Sequence, residues 1–299
     1  MTRPNSRPRF LMCPPEHFAV NYAINPWMDP NSWARDDQKL AVAARQEWIA
    51  LHHALRDLGA MIEFVAPVAG LPDLVFTANA AVILDGTALL ARFRHGERTR
   101  EEPHYEAAFR ALQARGVIDR VKTLPDSIVL EGAGDCVFDH ARKLFWLGFG
   151  PRSDAAARHA VMDTFGMDVV ALRLADARFY HMDTALSALP NGEVMYVPEA
   201  FTAKGRGIIH DHAAPDERIE VSIADACQLA ANAVCVGDTL VMAGCGDRLR
   251  AQLNERGYRV VVTPLHSFLR SGGAAFCLTL RLDRRSLAMA APASRAAVA

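Results

Sequence analysis

One pattern recurs four times along this chain. A helix-like stretch ends at a glycine, a β-rich stretch follows, and a chemically capable polar residue then stands where an apolar residue would continue the strand. The four residues are Asn79, Glu131, His181 and Cys277. Gly59 precedes Asn79 by 20 residues and Gly257 precedes Cys277 by 20, while Gly116 precedes Glu131 by 15 and Gly166 precedes His181 by 15. Any α/β protein alternates helix and strand, but matched offsets call for matched units. An amide, a carboxylate, an imidazole and a thiol at equivalent points of a repeat predict a symmetric fold that focuses them on one site. They are the parts of a cysteine-nucleophile enzyme.

The spacing predicts helices over Asp36–Leu58, Pro103–Arg115, Asp154–Phe165, Ile223–Ala233 and Asp247–Arg256. In the first, Leu40, Ala43, Ala44, Trp48, Leu51, Leu55 and Leu58 fall at three- and four-residue steps. Gly59, Gly116, Gly166 and Gly257 are placed to cap four of the five. Strands are expected at Met61–Val65, Val117–Thr123, Asp168–Leu174 and Tyr258–Thr263. Second strands follow at Leu74–Thr77, Ile128–Leu130, Phe179–His181 and Phe276–Leu280. Further strands are expected at Ala81–Leu84, Cys136–Phe138, Ala185–Leu189 and Val194–Val197. The long interval from Gly166 to Gly257 holds nearly two units, so five units fit in a closed, propeller-like or barrel-like α/β architecture. With no linker or composition break, residues 1–299 read as a single catalytic domain. Its core is about 11–282, and an Ala-rich tail, Ser286–Ala299, is expected to fray.

A hydrophobic content of 51% supports a sizeable core, and a net charge of −1 excludes the clustered basic excess of a nucleic-acid binder. No run of about 18 apolar residues exists to span a membrane. Cys13, Cys136, Cys227, Cys235, Cys245 and Cys277 form no CxxC pair. No structural zinc site or redox motif is therefore encoded, and a reducing compartment fits. The N-terminus carries no apolar run of signal-peptide length, so a cytoplasmic location is expected. The basic run Arg92–Arg100 reads either as a solvated surface or as a source of arginines for a substrate carboxylate.

A lone cysteine is usually an inert core residue. Cys277, however, follows Ser271-Gly-Gly-Ala-Ala-Phe, whose small residues let backbone approach a ligand closely. A thiolate there would be a strong nucleophile once a neighbouring cation lowers its pKa. His181 lies in Phe179-Tyr-His-Met-Asp-Thr184. On a strand, His181 and Asp183 would share a face and suit general acid/base work, half a metal site or a plain structural role. No second His-rich cluster matches for metal: His52-His53 lie on the first helix and His210-x-His212 in a polar loop. Glu131-Gly-Ala-Gly-Asp135 places two carboxylates in a glycine-rich turn with no Lys or Arg close in sequence. It is either an ordinary acidic turn or a site for a cation. A planar guanidinium, with its fork of N–H groups, is the cation that matches carboxylates best.

These motifs resemble the guanidine-modifying enzyme superfamily, whose fold is the five-bladed pentein α/β-propeller with pseudo-fivefold repeats around a central active site. Glu131-Gly-Ala-Gly-Asp135 is similar to its EGGD motif, His181-Met-Asp-Thr184 to its HxDT motif, and Cys277 to its late nucleophile. Met12-Cys-Pro-Pro and Ile24-Asn-Pro-Trp-Met28 resemble the opening of arginine dihydrolases. Phe76-Thr-Ala-Asn79 stands where arginine deiminases carry an Asp, and the dihydrolases likewise have Asn there. Dimethylarginine dimethylaminohydrolases are less similar in their histidine motif.

The resemblance implies Cys277 as nucleophile, His181 as general acid and base, and Glu131, Asp135 and Asp183 around the guanidinium. It implies Asn79 completing the pocket, Asn25 and Ser271 orienting substrate, and Arg98 and Arg152 on the α-carboxylate. The activity implied takes arginine through a covalent thiouronium to citrulline and on to ornithine, ammonia and CO2, with no cofactor or metal. The alternatives are a deiminase or methylarginine hydrolase that stops at citrulline, an amidinotransferase, a non-catalytic cation sensor and a metal-dependent hydrolase. The partner expected is a small guanidino compound, with no nucleic acid or membrane, and assembly into a homo-oligomer is compatible with the sequence.

Overall fold

The computed structural model describes residues 7–287. Its strands form five three-stranded sheets of one design, each with an antiparallel pair and a third strand parallel to the middle one. A parallel neighbour requires a crossover, and a helix supplies it in every unit. The first unit contains β1 (Arg9–Met12), α1 (Asp37–Asp57) and β2 (Met61–Phe64). The second runs β3 (Ala81–Leu84), β4 (Thr87–Leu90), α2 (Glu102–Ala114) and β5 (Arg120–Lys122). The third runs β6 (Cys136–Asp139), β7 (Leu144–Phe149), α3 (Ala157–Phe165) and β8 (Asp168–Arg173). The fourth runs β9 (Leu186–Ala188), β10 (Val194–Tyr196), α4 (Ala203–His212) and β11 (Arg218–Glu220). The fifth runs β12 (Val234–Val236), β13 (Thr239–Met242), α5 (Asp247–Glu255) and β14 (Arg259–Val262). Finally β15 (Leu280–Arg281) returns to pair antiparallel with β1, Phe10 opposite Arg281, so the last strand completes the first unit.

Burial follows this layering. The middle strands β4 and β10 are buried throughout and β7 nearly so, because one face meets the crossover helices and the other the interior. The parallel strands β2, β5 and β14 lie at sheet edges and keep exposed residues. On α1 the expected stripe is turned inward, with Ala44, Trp48, Leu51 and Leu55 buried. Gly59, Gly116, Gly166 and Gly257 all take the left-handed backbone expected of helix-ending glycines.

Three expectations are corrected. Leu74–Thr77, Ile128–Leu130, Phe179–His181 and most of Phe276–Leu280 are not strands but 3-10 turns and irregular backbone, with only Leu280 in β15. Most of their apolar residues are buried because these segments run through the interior, and a short apolar run cannot distinguish that from strand pairing. The helix expected over Ile223–Ala233 covers only Ile223–Ala226, and Leu229 beyond it has a left-handed φ of 52°. The fourth crossover helix is instead α4, in the segment read as a polar loop. Its two glycines and five charged or imidazole side chains hide a stripe that buries little beyond Gly205 and Ile209. The expected frayed tail is anchored at its first residue: Ser286 is buried and donates from N and Oγ to the Asp85 carboxylate at 2.9 and 2.6 Å. Residues 288–299 lie outside the described residues.

The turn before β6 shows why its glycines are needed. Gly132 has φ +64°, and a Cβ there would sit 2.7 Å from the backbone of Ala78 and Asn79 in the second unit. A Cβ at Gly134 would meet the Asn79 amide nitrogen at 2.2 Å. Gly59 also has a left-handed φ, +87°, but faces open space. Gly59→Ala should therefore cost only the left-handed conformation, about 1 kcal/mol. Gly132→Ala adds an overlap with backbone that cannot yield cheaply and should cost about 3 kcal/mol or more. Urea unfolding of both variants checks this; equal losses would mean that the two turns do not pack as described.

Candidate active site

Each unit delivers one turn to the interior immediately before its first strand. Asn79 sits in the 3-10 turn Thr77–Ala80 before β3, and Glu131 opens the turn Gly132–Gly134 before β6. His181 is the N-cap of the helical turn Met182–Ala185 before β9, and Cys277 lies in a turn before β15. The fifth unit contributes Asn232, two residues before β12 and 0% exposed. Five units were expected but only four polar positions, and a helix drawn through Ala233 covered the fifth.

Hydrogen bonds join the five turns in a closed circuit. The Ala78 amide donates to Cys277 O at 3.1 Å, and Asn79 Nδ2 donates to Glu131 O at 3.1 Å. The Met182 amide donates to Asp135 Oδ1 at 3.1 Å, and Asn232 Nδ2 to Asp183 O at 3.2 Å. The Cys277 amide returns to Asn232 Oδ1 at 3.1 Å. First, second, third, fourth and fifth units are thus linked and the fifth is tied back to the first.

Within this ring the thiol and imidazole sit among carboxylates. Cys277 Sγ donates to Asp183 Oδ2 at 3.3 Å and accepts from Asn232 Nδ2 at 3.1 Å. His181 Nε2 lies 3.4 Å from both Glu131 Oε2 and Asn79 Nδ2. Its Nδ1 is 3.1 Å from Asp135 Oδ1 but off the direction of a hydrogen bond. His181 and Asp183 do not share a strand face as expected. They occupy a helical turn that aims Asp183 at the thiol.

The acids differ in what is left to bind a ligand. The sequence places no Lys or Arg close to Glu131, yet Arg152 Nη1 donates to its Oε2 at 2.9 Å and the Arg94 amide to its Oε1 at 3.0 Å. Burial alone would raise the pKa of Glu131, but Arg152 and His181 outweigh it and hold the carboxyl down at about 2. Asp135 accepts from Ser153 Oγ at 2.5 Å as well as from the Met182 amide. Asp183 keeps Oδ1 buried and unpartnered, and burial pushes its carboxyl up to about 7 despite His181. Burial first, and Asp183 second, push the Cys277 thiol well above its ordinary pKa. The unligated site thus holds a protonated thiol beside a half-ionised acid, an arrangement that a cation would reverse.

The remaining expected residues surround this centre. Arg98, from the basic run, is buried and paired through Nε and Nη2 with Glu101 at 2.9 and 2.8 Å. Its Nη1 donates to Asn79 Oδ1 at 3.0 Å and its Nη2 also to Asp73 O at 3.2 Å. Two other arginines of the run lie near the surface, Arg92 paired with Asp126 and Arg94 with Asp154. Arg152 Nη2 donates to Ile24 O at 3.2 Å, and its guanidinium lies 4.7 Å above the Tyr180 ring. Asn25 Nδ2 donates to Ser271 O at 3.0 Å, and the buried Ser271 Oγ has no partner. All ten expected residues therefore border one region.

Sequence reasoning missed Asp73, Tyr180 and Ser153 besides Asn232. Asp73 is buried with Oδ1 unpartnered; Oδ2 accepts from Tyr22 at 2.8 Å, and burial raises its pKa although Arg98 opposes. Tyr180 donates to the backbone oxygens of Ser271 and Gly272 at 3.2 and 3.0 Å. An acid inside the apolar run Leu71–Phe76 was the available signal for Asp73.

Comparisons with known proteins place the fold among characterised enzymes. A family model described as N,N dimethylarginine dimethylhydrolase, eukaryotic, matches residues 14–284. The bifunctional arginine dihydrolase/ornithine cyclodeaminase ArgZ of Synechocystis is 41% identical over 274 residues, which cover 92% of this chain and 37% of that protein. The chain thus spans well under half the length of that relative. The N(G),N(G)-dimethylarginine dimethylaminohydrolase of Mycobacterium tuberculosis is 37% identical over 92% of this chain and 85% of its own. The solved N-terminal domain of the cyanobacterial ArgZ, bound to its substrate, superposes with a TM-score of 0.86 at 39% identity, covering 94% of this chain and 100% of that domain. A dimethylarginine dimethylaminohydrolase adduct at 20% identity and a TM-score of 0.73 shares the fold. With five sheets around five polar turns and these relatives, the chain belongs to the dimethylarginine dimethylaminohydrolase family of the guanidine-modifying, pentein-fold superfamily.

Proposed function

We propose that this chain is an arginine dihydrolase, taking L-arginine through citrulline to ornithine. The observation that carries the reading is the orientation of Asn79. Arg98 can only donate, so its Nη1 fixes Asn79 Oδ1 on its own side and turns Nδ2 toward His181 and the Glu131 turn. A donor at that point suits the carbonyl oxygen of a neutral ureido group. An aspartate would pair with Arg98 and present only acceptors, which serve a cationic guanidinium alone.

The residues divide as follows. The guanidinium lies against Asp183 Oδ1, the buried acceptor left without a partner, with Glu131 and Asp135 behind His181. Of the five N–H groups of a guanidinium, two on Arg152 are engaged and four on Arg98. Arg152 therefore takes the α-carboxylate, while Arg98 aligns Asn79. Asp73 Oδ1, buried and unpartnered beside Arg98, takes the α-ammonium. Asn25 and Ser271 brace the entrance to the site.

The arriving cation favours the Cys277 thiolate, which attacks the guanidino carbon. His181 gives a proton to the terminal nitrogen as that C–N bond breaks and ammonia leaves. The S-alkylthiouronium then accepts water, His181 taking its proton, and loss of the thiolate leaves citrulline. In the second cycle Cys277 attacks the ureido carbon, His181 protonates the terminal nitrogen, and that C–N bond breaks with release of the second ammonia, leaving the ornithine nitrogen on the thiocarbamate. Water cleaves the resulting thiocarbamate, and the carbamate formed decomposes with release of CO2. Arginine and two waters thus give ornithine, two ammonia and CO2. The described cysteines are all free, in keeping with a cytoplasmic setting.

Incubation of the chain with arginine alone, without added metal, should release ornithine with about two ammonia per arginine consumed. Citrulline as the sole product would favour the citrulline-stopping members of the family and overturn the dihydrolase reading. Asn79→Asp should accumulate citrulline and lower ornithine release at least about tenfold, with arginine consumption less affected. Ornithine release at the parent rate would remove Asn79 from the account.

A pH dependence follows from Asp183. Its carboxyl is raised to about 7 in the folded protein, so it is protonated below that pH and must ionise to hold a cation. In Cys277→Ser, which removes the thiol, arginine affinity should rise as pH increases through about 7, with proton release, while affinity for neutral citrulline stays nearly flat. Titration calorimetry in buffers of different ionisation enthalpy measures both; a flat arginine profile would contradict it. By the same linkage, Asp183 lowers the stability of the unligated fold as pH rises from the ordinary aspartate range, about 4, toward about 7.

A further inference from the structure

The fifth turn adds a residue that neither the motifs nor the family resemblance brought forward. We propose that Asn232 is a positioning residue for the nucleophile, holding Cys277 by its backbone and donating a hydrogen bond to its sulfur. This rests on the reading of Cys277 as nucleophile. Asn232 is 0% exposed and both ends of its amide are used. Oδ1 accepts from the Cys277 amide at 3.1 Å, while Nδ2 donates to Cys277 Sγ at 3.1 Å and to Asp183 O at 3.2 Å.

The orientation of the amide is not arbitrary. The Cys277 N–H can only donate and Asp183 O can only accept, so oxygen must face the first and nitrogen the second. The flipped amide would break both contacts. With Nδ2 fixed between Asp183 O and Sγ, the sulfur meets a donor whether it is thiol or thiolate. That donor matters most when charge gathers on sulfur, because hydrogen bonds to charged groups are the stronger ones.

It also differs in kind from the other neighbours. The titratable groups facing the sulfur are Asp183 and Tyr180, with His181 acting on Asp183 and itself beside Asp135 and Glu131. Asp183 is an acceptor when ionised and opposes the thiolate. The Ala274 backbone amide favours the thiolate too, and Asn232 is the side chain bonded to Sγ that does so in either cycle. A guanidinium supplies positive charge in the first cycle, but neutral citrulline does not in the second. The second hydrolysis should therefore depend on Asn232 more than the first.

The test is the pH profile of iodoacetamide labelling at Cys277, read by peptide mass spectrometry in the unligated protein. Exposed Cys227 serves as the internal reference. Asn232→Asp keeps the shape and the acceptor for the Cys277 amide but turns an oxygen toward sulfur; Asn232→Ala removes both contacts. The labelling midpoint should rise by about one pH unit or more in Asn232→Asp, and by less in Asn232→Ala, while Cys227 is unmoved. The kcat for citrulline should fall at least about tenfold further than that for arginine, with KM changed by less than about threefold. A residue that only packs would give parent midpoints, and Asn232→Ala would be the more damaged variant in thermal unfolding; that result overturns the proposal. Labelling needs no turnover. A parent inactive on arginine would sink the proposed function while the midpoints still decide the role of Asn232.

Discussion

The circuit of hydrogen bonds among five interior turns is the constraint on which the rest of the molecule depends. Each turn enters just before the first strand of its unit, and each is bonded to the next. Four of the five links use side chains of the site itself: Asn79, Asp135 and both ends of the Asn232 amide. Catalytic geometry and fold closure are therefore the same set of contacts. This explains the glycines of the turn before β6, since a side chain at Gly132 or Gly134 would push the second and third units apart where Asn79 meets Glu131. It also explains why short sheets suffice: the units need not be stable alone, because the return of β15 to β1 closes the ring.

The ring encloses an electrostatic imbalance. Glu131 and Asp135 are satisfied by Arg152, Ser153 and backbone amides, and Glu101 by Arg98. Buried pairs of this kind add little net stability but are costly to break singly, so they hold the acids in place. Asp183 and Asp73 are different. Each retains a buried oxygen without a partner, whereas Glu101, also raised by burial to about 7, is paired with Arg98. Two unsatisfied acids with Arg152, whose fork is only partly used, match the guanidinium, ammonium and carboxylate of an amino acid such as arginine. The fold bears an unfavourable charge arrangement, which in the proposed reaction the substrate relieves and so activates the thiol.

Much of this was legible in the sequence because it is local. Helix-ending glycines, the stripe Ala44, Trp48, Leu51 and Leu55, and the matched offsets to Asn79, Glu131, His181 and Cys277 all follow from chain geometry over short spans. What was not legible depends on burial or on contacts across units. Apolar segments such as Leu74–Thr77 resemble strands because the interior demands apolar residues of any backbone. The helix α4 was lost because its buried stripe is thin, and Asn232 was lost inside a helix drawn too long. The partnership of Glu131 with Arg152 joins residues 21 apart in the chain, so no local pattern announces it. Nor does any local pattern show that Arg98 aligns Asn79 instead of remaining free for substrate.

The central claim is that Cys277, set in the ring beside Asp183 and His181, attacks the substrate carbon covalently. Acid quenching during turnover of arginine, followed by peptide mass spectrometry, tests it most directly. A thiouronium adduct confined to the peptide carrying Cys277, and absent in Cys277→Ser, is the predicted result. An enzyme that turns over arginine with no adduct, or with the adduct on another cysteine, would contradict the account.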